Sequence, residues 1–206
     1  MTATRAAAAV ERALDERHRE ASEEVERILA AAVRVMDRCA PEAPTVTDIT
    51  VEAGVSRKAF YRYFAGKDEL LLAVLERGVA IIVSYLEHQM AKESDPAAQV
   101  ARWIEGALAQ VADPHLISMS RAVAGQVPDS SGGSDTIMDP MRDLLTAPVT
   151  ALGGGAQEID AVFTLTAATM RRYVGSAGRP SPDDIGALVR FCLRGVGAEL
   201  PGGEQG

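Results

Sequence analysis

The chain is predicted to be all-α, with a small N-terminal helix-turn-helix domain joined to a larger C-terminal helical domain. Three observations carry this. Apolar residues recur at helical spacing through most of the 206 residues. No stretch alternates apolar and polar residues as a half-buried strand would. Gly and Pro fall mainly between the apolar stretches, where they punctuate helices.

The first helix is read from Ser22, with Val25, Ile28, Leu29, Ala32, Val33 and Met36 on one face and Glu and Arg opposite. Pro41 and Pro44 close it. Before it lies a Met1–Glu20 extension. Its Ala run and Arg5 and Arg12 are interleaved with Glu11, Asp15 and Glu16, which suits a solvated helix or frayed tail better than a minor-groove arm. Thr45 and Asp48 are placed to form a capping box for a helix of about two turns. Gly54 supplies a left-handed turn residue. Ser56 then caps a second short helix through Phe64, which Ala65-Gly66 breaks. A long helix follows from Lys67 or Asp68 to about Met90, with Leu71, Leu75, Val79, Ile82 and Leu86 along one face.

Asp95-Pro96 and Asp113-Pro114 each place an N-cap before a proline at the first helical position. The first opens a helix carrying Val100, Trp103, Ile104, Ala107, Leu108 and Val111; the second should end near Gly125. Residues 128–133, "PDSSGG", form a loop. Ile137 to Leu152 reads as a helix that Pro148 kinks or ends. "GGG" at 153–155 breaks the chain before helices from Ala156 to Val174 and from Pro182 to Val196, and 201–206 is a flexible tail. The expected divisions are the extension 1–20, a helix-turn-helix domain 21–66, a larger helical domain 67–200 and the tail 201–206.

Composition narrows the function. The formal net charge is -8, but it is unevenly spread. Residues 1–66 hold 10 Lys and Arg against 11 Asp and Glu, and residues 67–206 hold 11 against 18. Apolar runs such as "VAIIVSYL" are too short to span a membrane, and the charged N-terminus is wrong for a signal peptide. Cys39 and Cys192 are read as reduced thiols packed inside helices, in a cytoplasmic protein. Arg replaces Lys almost everywhere, a bias of GC-rich bacterial coding. His18, His88 and His115 lack metal-ligand spacing, so no metal is expected, and no cofactor either. No catalytic triad or phosphate loop is present, so no enzymatic activity is expected.

Against that acidic background, Ser56 to Lys67 carries Arg57, Lys58, Arg62 and Lys67 without one acidic residue. Ile49, Ala53, Val55, Phe60 and Tyr63 are the buried positions of two helices crossing at a tight turn. The second is then a recognition helix whose first residues enter a major groove. Arg57 and Lys58 can reach guanine O6 and N7 or phosphate. Tyr61 offers its hydroxyl to a phosphate, and Lys67 sits where the next helix's free N–H groups can hold another. Arg62, between two aromatics, is as readily solvated as bound. The candidate DNA contacts are Thr45, Thr47, Ser56, Arg57, Lys58, Ala59, Tyr61, Arg62 and Lys67.

These residues carry a resemblance. "TVTDITVEAGVSRKAFYRYFAGKDELLLAVLE", residues 45–76, resembles the DNA-binding signature of the tetracycline-repressor (TetR) family. The shared features are Asp48-Ile49, Ala53-Gly54-Val55-Ser56, Phe60-Tyr61-x-Tyr63-Phe64, Lys67 and the Leu-rich helix after it. Thr50 replaces a usual alanine, which should loosen the packing slightly, and Lys58-Ala59 replaces a frequent Gly-Thr. The resemblance implies an all-helical homodimer bound to a pseudo-palindromic operator in duplex DNA, with a small-molecule pocket in the regulatory domain. It also implies a dimer bundle formed by the last two helices. The final helix adds its own support. Ile185, Val189, Cys192 and Val196 form one apolar stripe and Leu188 and Phe191 a second, so a helix apolar on two sides needs two partners.

The expected interface is Ile185, Leu188, Val189, Cys192 and Val196. Candidate pocket residues are Leu75, Val79, Ile82, Leu86, Trp103, Met119, Phe163 and Met170, for which plain core is the stronger alternative. His115 is read as exposed or capping. The function expected is a repressor released by a hydrophobic effector. Alternatives are an activator or ligand-independent regulator of the same fold, or a helical adaptor without DNA binding.

Overall fold

The computed structural model describes residues 4–39, 42, 44–112, 134–174 and 178–198. The helix expected after Asp113-Pro114, with His115 and Met119, lies outside the described residues, as do the 128–133 loop and the 201–206 tail. The described residues form helices and connections only. The chain divides into two compact units, Met1–Val74 and Leu75–Gly206, with the division falling inside one long helix.

The first unit begins with α1, Arg5–Cys39, which runs far beyond the expected start at Ser22. Alanine and the arginines have high helix propensity, and Arg19 pairs with Glu16 and with Glu23 one turn either side, so a solvated helix can persist without packing. Only the second half of α1 faces a core, through Ile28, Leu29, Ala31, Ala32, Val35 and Met36. Two short helices, α2 (Val46–Ala53) and α3 (Arg57–Tyr63), complete that core with Ile49, Phe60 and Phe64. The start of α4 (Lys67–Met90) adds Leu70, Leu71 and Val74.

Local sequence explains each end. Thr45 Oγ1 accepts from the Asp48 N–H while the Asp48 carboxylate accepts from the Thr45 N–H, the reciprocal capping box expected. Gly54, at φ 65°, terminates α2 in the left-handed region, and Val55 N–H closes back onto the Thr50 carbonyl at 3.0 Å. Ser56 Oγ accepts from Ala59 N–H at 3.0 Å to start α3. Thr50 does not loosen the packing. It is buried, and its hydroxyl donates to the Thr47 carbonyl at 3.0 Å, so the extra polar atom is satisfied.

The second unit is built around α5 (Pro96–Ala112), whose Val100, Trp103, Ile104, Ala107, Leu108 and Val111 are all fully buried. Asp95 caps it, accepting from Ala98 N–H at 3.0 Å, with Pro96 first in the helix as expected. Trp103 Nε1–H donates to the Met141 carbonyl at 3.0 Å, so the buried indole has its partner.

Three short helices follow: α6 (Ser134–Ile137), α7 (Asp139–Asp143) and α8 (Thr146–Ala151). The expected single helix across 137–152 is therefore broken, and earlier than Pro148 itself. A proline ring clashes with the carbonyl four residues back and has no N–H to give, so the break falls at Leu144-Leu145 and Pro148 sits in the first turn of α8. Helices α9 (Ala156–Val174) and α10 (Pro182–Gly195) pack with α8 onto α5. Ser181 and Asp184 form a second capping box at the start of α10, where Tyr173 Oη also approaches Asp184 at 3.3 Å.

Candidate DNA interface

The core holds α2 and α3 by apolar packing, and a ring of charge fixes them from outside. Glu52 on α2 accepts from Arg34 Nε at 2.7 Å and Arg38 Nη1 at 2.9 Å, both from α1. Hydrogen bonds from Arg34 and then Arg38 hold its carboxyl below the usual range, and hydrogen bonds from Thr45 do the same for Asp48. On α3, Tyr63 Oη donates to Glu24 of α1 at 2.7 Å, and Arg62 lies 3.8 Å from the same carboxylate oxygen. Phe60 anchors α3 internally, against Phe64 at 5.6 Å and edge-on to Tyr61 at 5.2 Å between ring centroids.

With those residues turned inward, α3 presents Arg57, Lys58, Tyr61 and Arg62 to solvent. Arg57 and Lys58 have no carboxylate partner among the described residues; neither has Lys67, half-exposed at the first residue of α4. Thr45 and Thr47 are exposed at the start of α2, and Ser56 is exposed at the start of α3. Ala59 is a correction. The residue is 5% exposed and its N–H is taken by Ser56 Oγ, so it offers almost no surface to DNA. Arg62 is drawn toward α1, with its guanidinium 5.2 Å from the Tyr63 ring centroid. The glutamate that draws it, Glu24, was hidden from sequence reading because it comes from another helix 38 positions earlier.

Residues 28–74 match the family model described as TetR_N, bacterial regulatory proteins of the tetR family. Residues 28–74 are a tetR-family domain. The match agrees with the expectation of a regulator without enzymatic activity. No curated protein sequence matches the chain. Its fold is similar to that of the fatty acid degradation regulator FadR from Bacillus halodurans, at 18% identity and a TM-score of 0.63, covering 83% of this chain and 96% of that one. A TetR-family transcriptional regulator from Haemophilus influenzae is similar at 18% identity and a TM-score of 0.62, covering 84% and 96%. RolR, solved in complex with resorcinol, is similar at 17% identity and a TM-score of 0.63, covering 88% and 91%. At these identities the likeness is one of fold.

Beyond residues 28–74, most of the candidate pocket residues take the plain-core alternative, and part of the expected interface is buried within the subunit. Trp103 is fully buried with its N–H satisfied, its ring 6.3 Å from that of Phe163. Val79 and Leu86 are buried; Leu75, Ile82, Phe163 and Met170 are half-buried. Apart from Leu75 and Val79, these side chains belong to or pack against the α5-centred core, where they fill space. Met119 lies outside the described residues.

On α10, Val189, Cys192 and Val196 also face that core, so the stripe expected at a dimer seam is mainly the subunit's own interior. Ile185 and Leu188 are half-buried at its edge. Burial pushes the Cys192 thiol up to about 11, so at neutral pH it is a protonated, apolar-like group. On α9 and α10 the large apolar residues left to solvent are Phe191, 68% exposed, and Leu165; Ile81 and Tyr85 on α4 are exposed as well. Between α9 and α10 opens a groove of about 320 Å³ lined by Ala161, Leu165, Phe191 and Gly195, with Val162 and Cys192 among its other lining residues. Among the described residues no His, Cys, Asp and Glu group could hold a metal ion, and no helix is long and apolar enough to cross a membrane.

Proposed function

We propose that the protein is a transcriptional repressor that binds a pseudo-palindromic DNA operator as a homodimer and is released by a largely hydrophobic small molecule. The observation that carries the DNA-binding part is the exposed face of α3: Arg57 and Lys58 without a carboxylate partner among the described residues, beside Tyr61 and followed by Lys67. Cations left free at the start of a capped recognition helix suit groove and phosphate contacts. The homodimer is supported by the solvent-facing Phe191 and Leu165 on two adjacent helices, an apolar surface that a second copy can cover symmetrically. A two-fold pair would present its recognition helices about 34–36 Å apart, one turn of duplex. The effector is supported by the fold shared with a regulator solved in complex with resorcinol, and by the apolar interior of the second unit. It acts if it binds the DNA-released state more tightly.

Lys67 and Tyr61 are assigned to phosphate. Lys67→Ala is expected to weaken binding similarly on all duplex sequences and to lower the slope of log affinity against log salt by about 0.9 for each subunit. Tyr61→Phe, which removes a neutral donor, should weaken binding with little change in slope. Fluorescence anisotropy of a labelled duplex across a salt series measures both. A slope unchanged by Lys67→Ala contradicts its assignment to phosphate.

A further inference from the structure

The recognition helix carries three exposed cations, and they are not equivalent. Among the described residues, Arg57 and Lys58 have no carboxylate partner, whereas Arg62 has Glu24 at 3.8 Å. Lys58 and Arg62 are four residues apart on one helix, so they lie on the same face and Arg62 extends the cationic stripe by one turn. Its partner is anchored. The Glu24 side chain is 20% exposed while Arg62 is 61% exposed, and Tyr63 Oη holds the same carboxylate oxygen at 2.7 Å. The Tyr63 ring in turn lies under the guanidinium at 5.2 Å. A fixed carboxylate is thus built in beside one of the cations that face solvent. An exposed ion pair is weak, but so is a single phosphate contact, and Arg62 cannot spend its charge fully on both.

We propose that Glu24 is a positioning residue that competes with DNA phosphate for Arg62, so that Arg62 is largely withheld from the charge the recognition helix offers to DNA. The consequence is a lower sequence-independent affinity than the three cations would give, with Arg57 and Lys58 left to set the contacts. This inference rests on the DNA-binding reading above.

The test measures affinity of the full-length protein for a mixed-sequence DNA duplex over a salt series, for the parent, E24Q, R62A and E24Q/R62A. Glutamine keeps an oxygen to accept from Tyr63, so α3 stays anchored while the charge is lost. E24Q is expected to steepen the salt slope by about 0.9 for each subunit, so that a fourfold rise in salt costs about 3.5-fold more affinity per subunit than in the parent. Removing Arg62 should lower the slope by that amount in the E24Q background and by markedly less in the parent. An equal effect of R62A in both backgrounds overturns the role of Glu24, as does a steepening that survives in E24Q/R62A. A parent with no salt-dependent affinity for duplex overturns the DNA-binding reading itself, a result distinct from either.

Discussion

Replacing Phe191 with Glu is expected to yield folded monomers from a dimeric parent. Phe191 is 68% exposed in the single chain and borders the α9–α10 groove, so the substitution costs the subunit little of its own core. In the proposed two-fold dimer it removes two aromatic anchors and buries two carboxylates. Anchors of this kind contribute about 2 kcal/mol or more each, so two should weaken association by roughly a thousandfold. Val189→Glu is the contrasting variant. Val189 is 2% exposed inside the α5-centred core, where an unpaired charge costs several kcal/mol against the subunit's own fold. Light scattering with circular dichroism separates the two: F191E keeps its helicity and halves its mass, whereas V189E loses helicity. A dimer unchanged by F191E places the interface elsewhere.

The second large effect is expected at Trp103, the sole tryptophan of the chain. It is fully buried at the centre of the second unit and donates to the Met141 carbonyl at 3.0 Å, tying α5 to α7. Truncation to Ala removes the buried apolar surface, leaves a cavity and breaks the bond to the Met141 carbonyl, and a loss of about 3–5 kcal/mol is expected from the lost burial and the cavity together. That approaches the whole stability of an ordinary domain, about 5–15 kcal/mol. Trp103→Phe keeps most of the volume and loses the hydrogen bond, so it should cost clearly less. Thermal unfolding followed by circular dichroism orders the three. A melting temperature for Trp103→Ala equal to the parent's contradicts a packed core at this position.

The helices were legible because their signals are local. Thr45 with Asp48, Gly54, Ser56 and Asp95-Pro96 each mark a terminus by chemistry acting within a few residues, and all of them act as read. The length of α1 was only partly legible: a solvated helix or a frayed tail suited its first half, and the structure takes the helix. Its first half packs on nothing that would leave an apolar stripe, and it persists on propensity and the Glu16–Arg19–Glu23 pairs alone. On α10 the two apolar stripes were visible, but periodicity does not say which faces inward. The packing of Val189, Cys192 and Leu193 settles this, leaving Phe191 outside. Trp103 and Phe163 are residues that can line a cavity or fill a core; core was the stronger reading, and here Trp103 lies in the core with Phe163 packed against it. The pairing of Glu24 with Arg62 and Tyr63 depends on how α1 lies against α3, which no short spacing encodes.

The central claim is that α3 reads duplex DNA from a two-fold dimer, and selection from a pool of random duplexes tests it most directly. The parent is expected to enrich a pseudo-palindrome with half-sites about one helical turn apart. Arg57→Ala or Lys58→Ala should relax the preference at one position in each half-site, at a cost of about 1–3 kcal/mol in discrimination if that side chain reads a base. Enrichment of no sequence by the parent, in salt where it still binds duplex, contradicts the claim.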